Sequence, residues 1–470
     1  MTTKLTKNGY TIKKSEHKTT LIKEIKDELT VKPFSYNKNQ KKDTNRFCVF
    51  LESPKKLYLP RFYGYKKFGE PTENKINGGD DIDISFNGSL RPEQLPIEEL
   101  YLKHAEERGG GIISIKCGGG KTVLALHITS VLKKKTIVVV HKDFLMTQWR
   151  DRIMEFLPDA KIGKIQQDTV DIEGKDVVLA MVQSLSMKEY EEDTFESFGL
   201  AIFDECHHLG AEVFSKSMAK VASKYMLGLS ATPKRKDGLS KVFEWYMGDI
   251  VYNQKKKNED YAEVQLIDCD FEEEEYCKVE LTYTKEPCMP RMINNICNYL
   301  PRTQLIIDLT IKYHKEGRNV LILSDRRGHL DLMYQMLSEY SRGFYVGGMK
   351  PADLRESQEK DILLATFSMA AEGMDIPKLD SVILASPKSD VEQSVGRVFR
   401  KKACDREFHP LIIDLQDNFS MFNNQCNKRL TLYKKMNFTI FHNGEQIPNK
   451  KPRKKKEEKI KEFALFDDDE

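Results

Sequence analysis

Two consecutive parallel-sheet α/β domains, preceded by a small β-rich module and followed by a charged tail, are what the sequence predicts. Three observations carry this. Short, continuous apolar runs rich in β-branched residues recur along the chain, as strands buried on both faces of a parallel sheet require. Each run is followed by a polar turn and an amphipathic stretch, the rhythm of a doubly wound α/β fold. The chain has 470 residues, 40% hydrophobic and 10% aromatic, which allows about three domains and supplies their cores.

Taken in order, residues 1–45 are polar and Lys-rich, and residues 46–75 mix aromatic with basic side chains. Together, through residue 85, they read as an accessory module that is partly β. Over 86–252, strands are expected at Ile112–Ile115, Ile137–Val140, Val177–Ala180, Leu200–Phe203 and Met226–Leu229, with helices at Thr122–Leu132 and Asp143–Phe156. Residues 253–300 are charged and irregular, as expected of a connector with some local structure of its own. A second α/β series fills 301–440. It has helices at Ile306–His314 and Leu330–Tyr340, and strands at Val320–Leu323, Ile362–Ala365, Ser381–Ala385 and Leu411–Asp414. Residues 441–470 hold a basic run, Asn449–Glu462, and an acidic tip, Asp467–Glu470. Such a tail is expected to be disordered, with nucleic-acid contact or nuclear targeting as the other readings.

Composition excludes several classes. Lys and Arg number 75 against 72 Asp and Glu, so a net charge of +3 creates no whole-protein field that names a nucleic-acid partner. No apolar run approaches the ~20 residues a membrane span needs, and the N-terminus lacks the apolar core of a secretory signal. No membrane role is expected. The 9 cysteines are odd in number and contain no C-x-x-C pair. That argues against a disulfide framework or zinc ribbon and for a reducing, intracellular compartment.

The most informative segment is Gly109–Leu126, GGGIISIKCGGGKTVLAL. An expected strand runs into Cys117, Gly118, Gly119, Gly120, Lys121 and Thr122 and then into a helix, the context of a phosphate-binding loop. Glycines let backbone N–H groups cradle phosphate oxygens, and the helix N-terminus adds positive potential. Lys121 would neutralise the β/γ-phosphates and the Thr122 hydroxyl would hold Mg²⁺. Ile115 stands where the full pattern has its first glycine, so a plain Gly-rich turn is the alternative. Downstream, Leu200–Phe203 delivers Asp204, suited to hold Mg²⁺ through water, and Glu205, suited to polarise an attacking water. His207 and His208 follow after Cys206, beside these carboxylates, which favours coupling over metal ligation. Met226–Leu229 ends in Ser230, Ala231 and Thr232.

With these motifs in this order, residues from about Leu90 to Lys401 resemble the superfamily 2 helicases and translocases, built on two RecA-like domains that use ATP and Mg²⁺. In that light Leu90–Gln94 is similar to the adenine-reading element, with Arg91 and Gln94 at the nucleotide. Residues 116–122 match motif I, although Lys116 replaces the usual proline. HKDFLMTQW (141–149) and MVQSL (181–185) resemble the strand-contacting motifs, DECHH (204–208) motif II, SAT (230–232) motif III and LSDRRGHL (323–330) motif IV. TFSMAAEGMDIP (366–377) resembles motif V and QSVGRVFR (393–400) motif VI. The resemblance implies coupling by His207, His208, Ser230, Thr232 and Glu372, and nucleotide contact by Gly373, Asp375 and Gln393. Arg397 and Arg400 would be arginine fingers, acting when the cleft between the domains closes on ATP. It also implies nucleic-acid phosphate contact by Thr147, Gln183, Ser184 and Thr366, each hydroxyl having a capping or turn role as its other reading.

Within the superfamily, IGKIQ (162–166), MVQSL and SATPKRKDGL (230–239) resemble the branch containing XPB, phage UvsW and large DNA virus helicases. YLPRFYGYKKFG (58–69) and GGGIISIKCGGGKT (109–122) together resemble helicases of the poxvirus transcript-release type and their relatives in other large DNA viruses. This implies DNA rather than RNA, 3′-to-5′ movement, a viral setting and contact with transcription machinery. A duplex DNA translocase, an RNA helicase and an inactive RecA-like scaffold are the alternatives.

Overall fold

The computed structural model describes residues 2–32, 46–115, 118–205, 211–231, 238–254, 261–374, 376–401 and 403–448. The chain divides into two units, Met1–Lys257 and Asn258–Glu470.

In the first unit the apolar runs become the centre of an eight-stranded sheet. Its order is Thr169–Asp171, Ile162–Gln166, Val177–Met181, Thr136–Val140, Leu200–Phe203, Tyr225–Ser230, Gly110–Ser114, Ile250–Asn253. Thr136–Val140, Leu200–Phe203 and Tyr225–Ser230 are buried at every position, as β-branched and aliphatic runs covered by helices on both faces should be. These inner strands pair in parallel, so all their C-terminal ends meet one edge of the sheet. The sheet is not wholly parallel. Thr169–Asp171 pairs antiparallel with Ile162–Gln166 and is exposed throughout, as a solvated edge permits. Ile162–Gln166 alternates buried and exposed positions, so no continuous apolar run announced it.

The N-terminal module is a five-stranded sheet ordered Leu51–Glu52, Lys56–Leu59, Gly9–Lys13, Lys4–Thr6, Glu73–Asn74. Two of its strands come from the Lys-rich opening, where Leu5, Tyr10 and Ile12 are fully buried among polar neighbours. Gly64 lets helix Arg61–Phe68 lie against Tyr10, since a Cβ there would stand 2.1 Å from the ring. The module shares its core with Leu239 and Val242 beside and within helix Ser240–Met247. Tyr63 meets Trp245 edge-on at 5.6 Å, and the Tyr246 hydroxyl donates to Val49 O at 3.0 Å. Arg61 donates to Lys224 O at 2.9 Å and Arg108 O at 3.3 Å, capping the end of helix Leu95–Arg108. The module is thus bolted to the part of the first unit that carries the eight-stranded sheet.

The second unit carries another eight-stranded sheet, ordered Arg342–Tyr345, Ile362–Ala365, Val320–Leu323, Ser381–Leu384, Leu411–Gln416, Glu263–Asp268, Thr439–His442, Glu445–Ile447. Only the last pair is antiparallel. Here the expected connector, 253–300, is corrected. Glu263–Asp268 pairs inside the sheet between Leu411–Gln416 and Thr439–His442, and helix Met289–Asn298 buries Met292, Ile293, Ile296 and Cys297 in the core. The intervening acidic run had masked both elements. The tail boundary at 441 is corrected too, because the terminal hairpin runs to Ile447. Residues 449–470 lie outside the described residues. Among the described residues no helix is long and apolar enough to cross a membrane.

Candidate nucleotide site and the motif residues

Strand Gly110–Ser114 is buried from end to end, and Ile115 N donates to Ser230 O at 3.0 Å, tying the start of the loop to the motif III strand. Lys116 and Cys117 lie outside the described residues. Gly118 and Gly120 take φ of 77° and 78°, left-handed values that glycine adopts without strain. Helix Lys121–Leu132 starts at once, so Lys121 and Thr122 stand in its first turn beside its N–H groups. Gln94 is 2% exposed and holds this loop. Its Nε2 donates to Gly120 O at 3.1 Å and Gly119 O at 3.4 Å, and its Oε1 accepts from Arg91 N at 2.9 Å. A Cβ on Gly120 would meet Gln94 Nε2 at 2.6 Å. The expected base-reading glutamine is therefore joined to the loop's carbonyls.

Two strands away from Gly110–Ser114, Leu200–Phe203 ends in the carboxylates. Asp204 is 6% exposed, accepts from the Trp149 indole N–H at 2.8 Å through Oδ2, and its own N–H donates to Val139 O at 3.0 Å. Burial, then the neighbouring Glu205 charge, push its carboxyl above the usual range, while Lys121, Trp149 and His141 pull the other way. Glu205 has φ 46°, a strained value for a non-glycine residue that aims its side chain at the loop. There it pairs with Lys121, and its Oε2 accepts from Ala231 N at 3.4 Å. A left-handed glycine cradle, a lysine on a helix N-terminus and two carboxylates at a strand end two places along the sheet fit a nucleoside triphosphate and its divalent cation. Trp149 is the participant that sequence reasoning missed. It falls inside the 141–149 stretch, but a buried aromatic on an amphipathic helix reads as core.

Gln183, Ser184, Thr147 and Ser230 lie in or just after the strands of the same sheet. Gln183 follows Val177–Met181 and donates through Nε2 to His141 O at 3.0 Å, lacing two strand ends together. Ser184 is 9% exposed and accepts from Gln167 N at 2.9 Å, so its hydroxyl holds a turn and is turned away from solvent. Thr147 reaches back to Asp143 O at 3.5 Å. Ser230 is fully buried at the end of its strand. His207, His208 and Thr232 lie outside the described residues.

In the second unit Thr366 caps helix Phe367–Gly373, its hydroxyl accepting from Met369 N at 3.4 Å. Glu372 and Gly373 end that helix, and their side-chain environment, like Asp375, lies outside what is described. Gln393 stands in the short helix Glu392–Val395. Arg397 is 3% exposed and donates to Met374 O at 3.0 Å and to Ala371 O, and Arg400 donates to Met374 O at 3.3 Å. Both motif VI arginines thus lie along the motif V backbone.

Residues 87–235 match the model of the type III restriction enzyme res subunit, and residues 301–402 match the helicase conserved C-terminal domain. A protein of Acanthamoeba polyphaga mimivirus, provisionally named an ATP-dependent RNA helicase, is 37% identical over 93% of this chain and 86% of its own length. A similarly named protein of African swine fever virus is 25% identical over 74% of this chain and 73% of its own. A provisionally named helicase of Invertebrate iridescent virus 6 is 26% identical over 78% and 84%. The solved structure of T4 UvsW aligns with 90% of this chain and 96% of that one at 18% identity, with a TM-score of 0.37, too loose a match to carry weight. With its motif residues on two RecA-like units and a relative matched along nearly its whole length, the chain belongs to the superfamily 2 helicases, as an ATP-hydrolysing enzyme with relatives in large DNA viruses.

Proposed function

We propose that this helicase moves 3′-to-5′ along DNA, driven by ATP hydrolysis at the first unit's strand ends. The observation that carries the reading is the Lys121–Glu205 pair, set between the glycine loop and the buried Asp204. A triphosphate entering the loop offers Lys121 a stronger partner than Glu205. Glu205 is then released to polarise the attacking water, with its strained backbone holding it in place. Thr122 and Asp204 would hold Mg²⁺, which supplies charge neutralisation at the phosphates. Arg397 and Arg400 are the guanidinium groups that stabilise charge developing at the γ-phosphate.

Nucleic acid is held through its phosphates, by hydroxyls such as Thr147 and Thr366 and by backbone N–H groups. Binding of that kind is sequence-independent and salt-sensitive. The motif likeness to the XPB and UvsW branch supports DNA as the track, and the stretch Tyr58–Gly69 supports work in transcription. RNA is the second reading, favoured by the names of the mimivirus and African swine fever virus relatives. The test compares stimulation of ATP hydrolysis by single-stranded DNA, duplex DNA and RNA at one salt concentration, then unwinding of duplexes with a 3′ or a 5′ tail. Strong stimulation by single-stranded DNA and unwinding only from the 3′ tail are expected. Stimulation by RNA alone would replace the DNA reading.

A further inference from the structure

Among the described residues, the second unit buries two arginines that none of the helicase motifs contains. Arg302, on helix Leu300–Lys315, is fully buried. It grips Asp417 through Nε at 2.7 Å and Nη2 at 3.0 Å, and the Tyr276 hydroxyl donates to the same carboxylate at 2.6 Å. Arg429, on helix Phe422–Lys435, is 2% exposed. Its Nε lies 2.9 Å and its Nη2 2.8 Å from the Asp414 carboxylate, which also accepts from the Tyr433 hydroxyl at 2.9 Å. Asp414 lies in strand Leu411–Gln416 and Asp417 follows it, so two Arg–Asp–Tyr sets are anchored on one stretch of chain.

Each arginine keeps one prong for something else. Arg302 Nη1 donates to Ala385 O at 2.6 Å, and Arg429 Nη1 donates to Lys388 O at 2.8 Å. Those carbonyls are the two ends of one short loop, which leaves strand Ser381–Leu384 and leads to Gln393–Arg400. Motif IV holds the same loop from its other side. Asp325 N donates to Ser386 Oγ at 2.9 Å, and Lys388 Nζ donates to Asp325 Oδ2 at 2.7 Å. Burying two ion pairs is a costly way to obtain stability, since apolar side chains of similar size do as well. A planar fork that binds a carboxylate and a carbonyl at once fixes geometry, which an apolar side chain cannot do.

We propose that Arg302 and Arg429 are positioning residues for ATP hydrolysis: they clamp the Ala385–Lys388 loop and so fix where the motif VI arginines stand. This rests on the reading of Arg397 and Arg400 as the γ-phosphate guanidinium donors. The clamp acts on the chemical step and leaves nucleotide affinity alone.

The test uses the full chain with Arg429→Lys, which keeps a charge beside Asp414 but loses the planar fork. The paired variant Asp414→Leu/Arg429→Met, which leaves no buried charge unpartnered, covers the case in which the single variant is unstable. Arg397→Ala is measured alongside. The clamp predicts that kcat for nucleic-acid-stimulated ATP hydrolysis falls about 10-fold or more while KM for ATP stays within about threefold and the urea midpoint stays near wild type. Lys388→Met, at the loop's more exposed end, should show a smaller loss confined to kcat. If kcat holds in the Arg429 variants while Arg397→Ala loses it, the clamp is overturned and the motif VI reading stands. If Arg397→Ala also keeps full kcat, that reading falls and the clamp with it.

Discussion

Gln94→Glu exchanges an amide for a carboxylate of nearly the same shape at the point where the phosphate loop is held. In the wild type the Gln94 amide N–H groups face Gly120 O at 3.1 Å and Gly119 O at 3.4 Å. After the exchange an acceptor faces both carbonyls in a pocket where the side chain is 2% exposed. Two hydrogen bonds are lost and two buried acceptors are left opposing an oxygen, at about 1–2 kcal/mol each. The total of about 2–4 kcal/mol corresponds to roughly 30- to 1000-fold in nucleotide affinity, if the held loop is the form that binds ATP. Gln94→Ala removes the same bonds without the repulsion, at about 0.5–1 kcal/mol per bond, and should cost about 5- to 30-fold. The assay is titration with a fluorescent ATP analogue, with urea denaturation run alongside to confirm folding. The predicted order of affinity is wild type, then Gln94→Ala, then Gln94→Glu. A glutamate variant that binds as tightly as the alanine variant would refute the reasoning.

Further predictions follow from the buried charges. The Asp204 carboxyl is held above its ordinary value of 3.8 by burial and then by Glu205. A carboxyl raised on folding stabilises the fold only below that ordinary value, and the contribution is lost as pH rises through the folded-state value. Asp204→Asn should therefore become progressively more stable than wild type from acid to neutral pH, and parallel urea-midpoint curves would contradict this. Arg302→Met leaves Asp417 buried without its bidentate partner, so about 3–5 kcal/mol of stability should be lost by urea denaturation. A loss below about 1 kcal/mol would mean that the pair is bypassed. Burial holds the His329 imidazole down at about 3, between Thr303 Oγ1 and Ser324 Oγ at 3.2 Å each. Its NMR shifts should stay flat across neutral pH, whereas a titration there would show that the motif IV helix opens.

The sequence revealed the interior of both sheets because strands such as Thr136–Val140 and Val320–Leu323 are buried on both faces and so read as unbroken apolar runs. The margins were hidden for the opposite reason. Lys4–Thr6, Gly9–Lys13 and Ile162–Gln166 alternate with polar residues, and Glu263–Asp268 reaches its place in the sheet by pairing with strands far along the chain. The chemistry-bearing residues were legible because their types and order are constrained locally. Their partners were not. Trp149 finds Asp204 across 55 positions and Arg302 finds Asp417 across 115, and no local pattern records such a meeting. Ser184 shows the converse case, a hydroxyl whose motif position suggested a ligand and whose geometry serves a turn.

In the proposed mechanism Glu205, poised by Lys121, performs hydrolysis that nucleic acid triggers. The most direct test is single-turnover ATP hydrolysis by wild type and Glu205→Gln, each with and without single-stranded DNA, after nucleotide binding has been matched. Rapid, DNA-dependent hydrolysis is expected in wild type, and a variant that binds ATP yet hydrolyses it at least about 100-fold more slowly with or without DNA. Equal rates for the two proteins, or a wild-type rate indifferent to nucleic acid, would contradict it.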